Sequence, residues 1–269
     1  MTKTRSATKT PGKTPPVEPV AQAVIQGLRR WRDPARAAGA QQYFKHTVVA
    51  LGVDTPRLRA IVKEQVRPLV ARWTLAQAVE CCDRLLREPE LEIQGAGLLL
   101  LGAFKRGFTL DLVPPARQWL GSRLDNWALV DGFCNAVLSP LLEQCPEFEK
   151  TLHVWSRDPC LWVRRAALVT LVPLARRGCL LDTAYGFAGG HFSDPEDLMH
   201  KATGWLLREA GKTDPERLRG FLLRHGPSIP RMALRYAIER FPSPDRKRLL
   251  QETRAGAGPG KSRQRPTMG

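Results

Sequence analysis

The sequence predicts an all-α protein, and three observations carry that expectation. Apolar residues recur at helical spacing through most of the chain. PRLRAIVKEQVRPLVARW (56–73) sets Leu58, Ile61, Val62, Val66, Leu69 and Val70 at helical intervals, and LAQAVECCDRLLRE (75–88) and LEIQGAGLLLLGAFKR (91–106) continue in the same style. No sustained alternation of polar and apolar residues marks a strand, and only 7% of residues are aromatic. Asp-Pro pairs recur at 33–34, 158–159, 194–195 and 214–215. An aspartate caps the free amides of a first helical turn and proline is tolerated just behind it, so each pair reads as a helix start.

The later pairs are followed by LWVRRAALVTLVPLARR, EDLMHKATGWLLREAG and ERLRGFLLRHG, each a helical run. From Asp158 to Asp194 is 36 residues, about one helix pair of a repeat protein, whereas the next interval is only 20. Short connectors and this degenerate period predict antiparallel helix pairs stacked into an α-solenoid of the HEAT type, with a concave basic face; a plain helical bundle is the alternative. Residues 1–16 and 253–269 hold almost no large apolar side chains. They are expected as disordered basic tails around one domain spanning 17–252.

Charge points to an anionic partner. Lys plus Arg number 42 against 26 acids, a net +16. Seven of these charges lie in the terminal segments 1–16 and 255–269, which hold no acid, so +9 remains on residues 17–254. A basic body of this kind suits nucleic acid, held through its phosphates. Paired cations on successive helical runs are candidate phosphate ligands: Arg164 and Arg165, Arg208 and Lys212, Arg231 and Arg235.

The six cysteines form no Cys-x-x-Cys pair and several sit in apolar helical runs, which reads as reduced buried thiols, with no zinc ribbon or disulfide framework. MTKTRSATKTPGKTPP lacks the apolar segment of a signal peptide, and GAGLLLLGAF is too short to span a bilayer. A soluble protein of the cytoplasm, associated with the nucleoid, is therefore expected.

Motifs of common enzymes are missing. There is no glycine-rich phosphate loop, no His-Glu-x-x-His and no Gly-x-Ser-x-Gly, and the histidines at 46, 153, 191, 200 and 225 show no metal-ligand spacing. No metal and no cofactor are expected. What stands out is DNWALVDGFCNAVLSPLLEQC, which starts at Asp125 and reads as a helix. It carries Trp127 and, one turn later on the same face, Asp131. Trp205 and Trp162 lie in similar basic runs, whereas Trp31, Trp73, Trp119 and Trp155 read as core.

Four segments, in order across about residues 40–240, carry a resemblance. YFKHTVVALGVDTPRLRAIVKE has a tyrosine-lysine helix followed by a Gly-φ-x-Thr-Pro turn, where φ is apolar; NWALVDGFCNAVLSPLL has Trp-x-x-x-Asp; SRDPCLWVRRAALVTL has Trp-φ-Arg-Arg; and KATGWLLREAGKTDPERLRGFL has a Gly-Trp-φ-Leu-Arg-Glu helix. Together they resemble the DNA alkylation repair family, the AlkD-like HEAT-repeat glycosylases. The chain departs from that family's pattern at Thr203, where an aliphatic residue is expected, and in the Gly-Val-Asp-Thr-Pro turn.

The resemblance implies a catalytic set of Asp131, Trp127 and Trp205, a DNA contact from Arg165 and a lesion-proximal place for Tyr43; Arg164, Lys45, Arg208 and Lys201 are further expected DNA contacts. It implies a monomer that excises N3- or N7-alkylated purines from double-stranded DNA without flipping the base. Such purines are cationic and leave without a general acid, and a carboxylate can stabilise the oxocarbenium character that develops on the sugar. Two rival expectations stand beside it: a HEAT-repeat protein that binds damaged or branched DNA without catalysis, and a protein scaffold with no salt-dependent affinity for DNA.

Overall fold

The computed structural model describes residues 14–254, which fold into α-helices and short helical turns with no strand among them. The expected tails lie outside the described residues apart from 14–16 and 253–254. The first helix starts at Val17 and the last ends at Glu252. The chain divides into two compact units, Met1–Phe108 and Thr109–Gly269.

The N-terminal unit contains α1 (Val17–Arg29), α2 (Pro34–Ala40), α3 (Thr55–Val66), α4 (Leu75–Leu85) and α5 (Leu91–Gly102). Val20, Ala21, Val24, Ile25 and Leu28 form the buried stripe of α1, which packs on α3 and α4. Ala78, Cys81, Cys82 and Leu85 do the same for α4. Thr74 and Gln77 start α4 with a reciprocal capping box. The helix expected to run from 56 to 73 ends at Val66. Pro68 lacks the amide hydrogen that would continue the helical ladder, and the chain passes into turns there.

The loop between α2 and α3 is held from below. Glu92 on α5 accepts the backbone N–H groups of Leu51 (2.8 Å), Gly52 (2.7 Å) and Val53 (3.2 Å). Gly52 has φ +80°, and a Cβ there would lie 2.2 Å from the Asp33 carbonyl oxygen. Glycine is required on both counts.

The C-terminal unit contains α6 (Val113–Ser122), α7 (Trp127–Phe133), α8 (Ser139–Gln144), α9 (Phe148–Trp155), α10 (Leu161–Ala175), α11 (Leu181–Gly190), α12 (Asp197–Ala210), α13 (Pro215–His225), α14 (Arg231–Ala237) and α15 (Ser243–Glu252). The central helix is α10, buried from Arg165 to Val172, with neighbours on both sides in α7 and α12. Its sequence, apolar almost all round, is what such a position demands.

Contacts within this unit recur one repeat apart. Glu143 pairs with Arg177, Thr183 donates to Glu149 at 2.6 Å, Arg176 pairs with Glu209 at 2.7 Å, and Ser139 donates to the Thr170 carbonyl at 2.7 Å. These offsets of 31–34 residues are what stacked helix pairs produce, each pair laid against the next.

The Asp-Pro pairs divide into two kinds. Asp33 and Asp214 cap α2 and α13 through the amides of Arg36 (3.0 Å) and Arg217 (2.8 Å). Asp158 and Asp194 lie short of their helices, contrary to expectation. Each accepts an amide two residues on, from Cys160 (2.8 Å) and Glu196 (3.0 Å), and each receives an arginine from an earlier helix: Arg117 to Asp158 (2.8 Å) and Arg164 to Asp194 (2.9 Å). These two aspartates fasten one repeat to the next.

The tryptophan expectation also needs one correction. Trp73, Trp119 and Trp155 are core, at 6%, 1% and 4% exposure, but Trp31 is 52% exposed. It follows α1 in the turn that leads to Asp33, where its ring is only partly covered. Among the cysteines, all free, Cys81, Cys82 and Cys134 are buried, and Cys179 is exposed.

Candidate active site

The segment expected to start a helix at Asp125 starts it two residues later. Asn126 is the cap, its side-chain oxygen accepting the Leu129 amide at 3.1 Å, and Trp127 is the first helical residue. Leu129, Val130 and Phe133 face the core. Trp127 and Asp131, one turn apart, stay half-buried on the other side. Directly after α7 the backbone widens into a π-helical turn, Cys134–Leu138, before α8. Pro140 follows, a residue that can neither donate to the carbonyl four residues back nor tolerate its close approach, and a widened turn relieves both problems.

The carboxylate of Asp131 faces Arg165 on α10 in a two-point pair. Arg165 Nε donates to Asp131 Oδ1 at 2.9 Å and Nη2 donates to Oδ2 at 2.8 Å. The remaining arm, Nη1, donates to the carbonyl of Leu198 on α12 at 2.5 Å. Arg165 therefore joins three successive helices, α7, α10 and α12, at offsets of 34 and 33 residues. The side chain of Arg165 is 5% exposed and that of Asp131 15%.

The supports are themselves tied down. The Asp131 carbonyl accepts Asn135 Nδ2 at 2.7 Å, and Thr170 on α10 donates to the Ala166 carbonyl at 2.7 Å. Burial pushes the Asp131 carboxyl above the ordinary carboxylate range, and the guanidinium of Arg165 opposes that shift without cancelling it. Burial also drives the thiol of nearby Cys134 far up, so it stays protonated and inert.

Trp205 lies on α12, two turns beyond Leu198. Lys201, Trp205 and Arg208 recur at intervals of four and three residues and form the accessible face of that helix, with Lys212 just past its end. The opposite face is packed without slack. A Cβ on Gly204 would stand 2.4 Å from the Ala233 carbonyl oxygen and 2.5 Å from Tyr236 Cβ, so glycine is what lets α14 approach. Thr203, where an aliphatic side chain is expected, is fully buried and its hydroxyl has no partner among the described residues.

The candidate DNA contacts fall into separate groups. Arg164 is committed to Asp194 and to the carbonyls of Asp158 and Pro159, each carbonyl at 2.9 Å. Arg208 pairs with Glu239 and Glu209. Arg165 and Arg164 thus both already serve carboxylates and carbonyls. Lys201 forms no ion pair among the described residues, and neither does Arg235, which is exposed.

Tyr43 and Lys45 belong to the N-terminal unit. Tyr43, 67% exposed, ends a 3-10 turn, Gln41–Tyr43, and Lys45 follows in irregular chain where a helix is expected. Gln41 shapes this segment by bonding the backbone of Phe44, His46 and Val48.

Sequence reading missed the partnership of Asp131 with Arg165 and the role of the Leu198 carbonyl. The signal was the repeat itself: residues one period apart on successive helices are stacked neighbours.

No curated protein matches the chain. A solved structure described as a predicted DNA alkylation repair enzyme from Enterococcus faecalis is similar to it, with a TM-score of 0.70 and 20% identity, covering 79% of this chain and 97% of that one. At that identity the likeness speaks for the fold. The model of the family described as DNA alkylation repair enzyme matches residues 24–241. The chain, all-α and carrying the Trp-x-x-x-Asp helix at the centre of that span, belongs to the DNA alkylation repair enzyme family.

Proposed function

We propose that the protein is a monofunctional DNA glycosylase that excises cationic N3- and N7-alkylated purines from duplex DNA, acting as a monomer without a cofactor. The observation that carries this reading is the Asp131 carboxylate, held at both oxygens by Arg165 one turn from Trp127. Each oxygen keeps a lone pair that the arginine does not use, and the carboxylate retains an opening to solvent.

The alkylated purine departs with the electrons of the N-glycosidic bond and becomes neutral, so no acid is needed. Positive charge grows at C1′ of the sugar. The fixed carboxylate of Asp131 stabilises that charge and orients the water whose oxygen bonds to C1′ and whose proton passes to solvent. The faces of Trp127 and Trp205 pack against the sugar and attract the cationic centre. Arg165 is a positioning residue that holds the carboxylate in its productive orientation. Lys201 and Arg235 are the cations best placed to take phosphates, being unpaired on accessible helix faces. With no enclosed base pocket required, the lesion stays stacked, and work at the nucleoid in the cytoplasm follows from the substrate.

One observation favours the second reading, a protein that binds damaged DNA without excising it: the Asp131 charge is compensated by Arg165 and burdened by burial. Purine release distinguishes the two. The intact protein should release 7-methylguanine from a duplex far faster than it releases uracil, because only the former is a cationic leaving group. Binding should weaken steeply with salt, log K falling linearly with log salt concentration. Tight binding with no release would leave the second reading standing, and a flat salt response would remove DNA from both.

A further inference from the structure

The N-terminal unit holds a cleft of about 490 Å³ that has no part in the excision chemistry. It is lined by Arg30, Arg32, Arg36 and Arg57, by Asp33 and Asp54, and by Trp31. The guanidinium of Arg57 lies over the Trp31 ring, 3.5 Å from its centroid. Both aspartates are already used. Asp33 caps α2 and Asp54 caps α3, and Arg36 bridges to Asp54 at 3.2 Å. The cap bond from the Arg57 amide helps hold the Asp54 carboxyl below the ordinary range, so it stays ionised and committed. Arg30 and Arg32, both exposed, have no ion-pair partner among the described residues.

We propose that this cleft binds an unpaired nucleotide of a DNA strand, its base stacked on the Trp31–Arg57 platform and its flanking phosphates on Arg30 and Arg32. This rests on the reading of the protein as one that binds DNA. An exposed tryptophan beside arginines offers a π-face and cations together, the combination by which single-stranded nucleic acid is held without sequence preference. Bases inside a duplex are already stacked on each other, so a protein ring can engage only a base that has left the stack, at a gap, a flap or a frayed end. The cleft is also preformed. Gly52 brings the α3 loop against the Asp33 carbonyl, the Asp33 amide donates to the Leu51 carbonyl at 2.8 Å, and Glu92 fixes three consecutive amides of that loop. Binding there needs little ordering of the protein.

The test compares fluorescence anisotropy of the full chain with an undamaged blunt duplex and with the same duplex carrying a short single-stranded oligothymidine tail. The tail should raise affinity by about five- to tenfold, the lower part of what one stacked base contributes. Trp31→Ala should abolish that gain and leave blunt-duplex affinity and melting temperature in place, while Trp31→Phe should keep part of it. Replacing Arg30 and Arg32 by alanine should lower the salt slope for the tailed duplex by about 1.4, two phosphates on a single strand. A tail that adds nothing, or a gain that survives Trp31→Ala, overturns the inference alone. Displacement of the tail by inorganic phosphate at fixed ionic strength, equal in wild type and Trp31→Ala, overturns it in favour of a simple anion site. Failure to bind the blunt duplex at all overturns the DNA-binding reading beneath it.

Discussion

The same three residue types, tryptophan, arginine and aspartate, are grouped in both units and put to opposite use. In the C-terminal unit Arg165 is locked onto Asp131, with Trp127 one turn away. In the N-terminal unit the aspartates are consumed as helix caps, and Arg57 lies on the exposed ring of Trp31. The first arrangement fixes a carboxylate in one orientation with little water around it. The second leaves a cation and an aromatic face open to solvent. Composition is shared, so partner choice decides the chemistry: a buried, two-point pair makes a preorganised charge, and an exposed stack makes a contact surface.

The contrast should be sharpest in stability. Arg165→Met strands Asp131 in a buried site and should cost about 3–5 kcal/mol, read by urea denaturation. It should also move the acid limb of excision to higher pH. In the proposed mechanism excision requires ionised Asp131, whose carboxyl burial already raises above the ordinary 3.8, and removing the guanidinium leaves burial unopposed. The stability term runs the other way. A raised folded pKa makes Asp131 favour folding at low pH, and that contribution is lost as pH climbs from 3.8 through the raised value. An unchanged acid limb in Arg165→Met would separate the pair from the chemistry.

Smaller effects grade the same comparison. Gly204→Ala, beside Trp205, forces a methyl group against the Ala233 carbonyl and should cost about 1–3 kcal/mol, with excision falling as α12 shifts. Thr203→Val replaces a buried hydroxyl that has no partner and should stabilise by about 1 kcal/mol, visible as a higher melting temperature. Trp31→Ala should change stability by no more than about 1 kcal/mol, since the ring is half exposed and its stack with Arg57 faces solvent. A Trp31→Ala loss as large as that of Arg165→Met would erase the distinction between the two groupings.

Much of this architecture was legible in the sequence because it depends on local pattern. The stripes of α1, α4 and α12, and the helical run of α10, follow from spacing alone. The interval of 36 residues between Asp158 and Asp194 comes close to the repeat, whose contacts recur at offsets of 31–34. What stayed hidden depends on partners far along the chain. Asp158 and Asp194 look like Asp33 and Asp214 in sequence, yet their side chains serve arginines from earlier helices. Trp31 reads as core because tryptophan usually is, but its place in the turn after α1 leaves the ring half exposed. Arg165 reads as a phosphate ligand because arginine on a basic helix usually is. Its burial against Asp131 needs the register between helices 34 residues apart, which periodicity suggests and contact geometry fixes.

In the proposed mechanism the Asp131 carboxylate, held by Arg165, stabilises the positive charge that develops at C1′ of the sugar as the purine departs. Single-turnover release of 7-methylguanine from a defined duplex tests it most directly, using wild type, Asp131→Asn and the double variant D131N/R165M. Asp131→Asn alone leaves Arg165 with half its partner and loses stability, whereas the double variant removes the stranded charge and should recover much of it. Both should release the base about 10²–10³ more slowly than wild type, the usual loss for one preorganised electrostatic group. A double variant that melts near the wild-type temperature and excises at the wild-type rate would contradict the account.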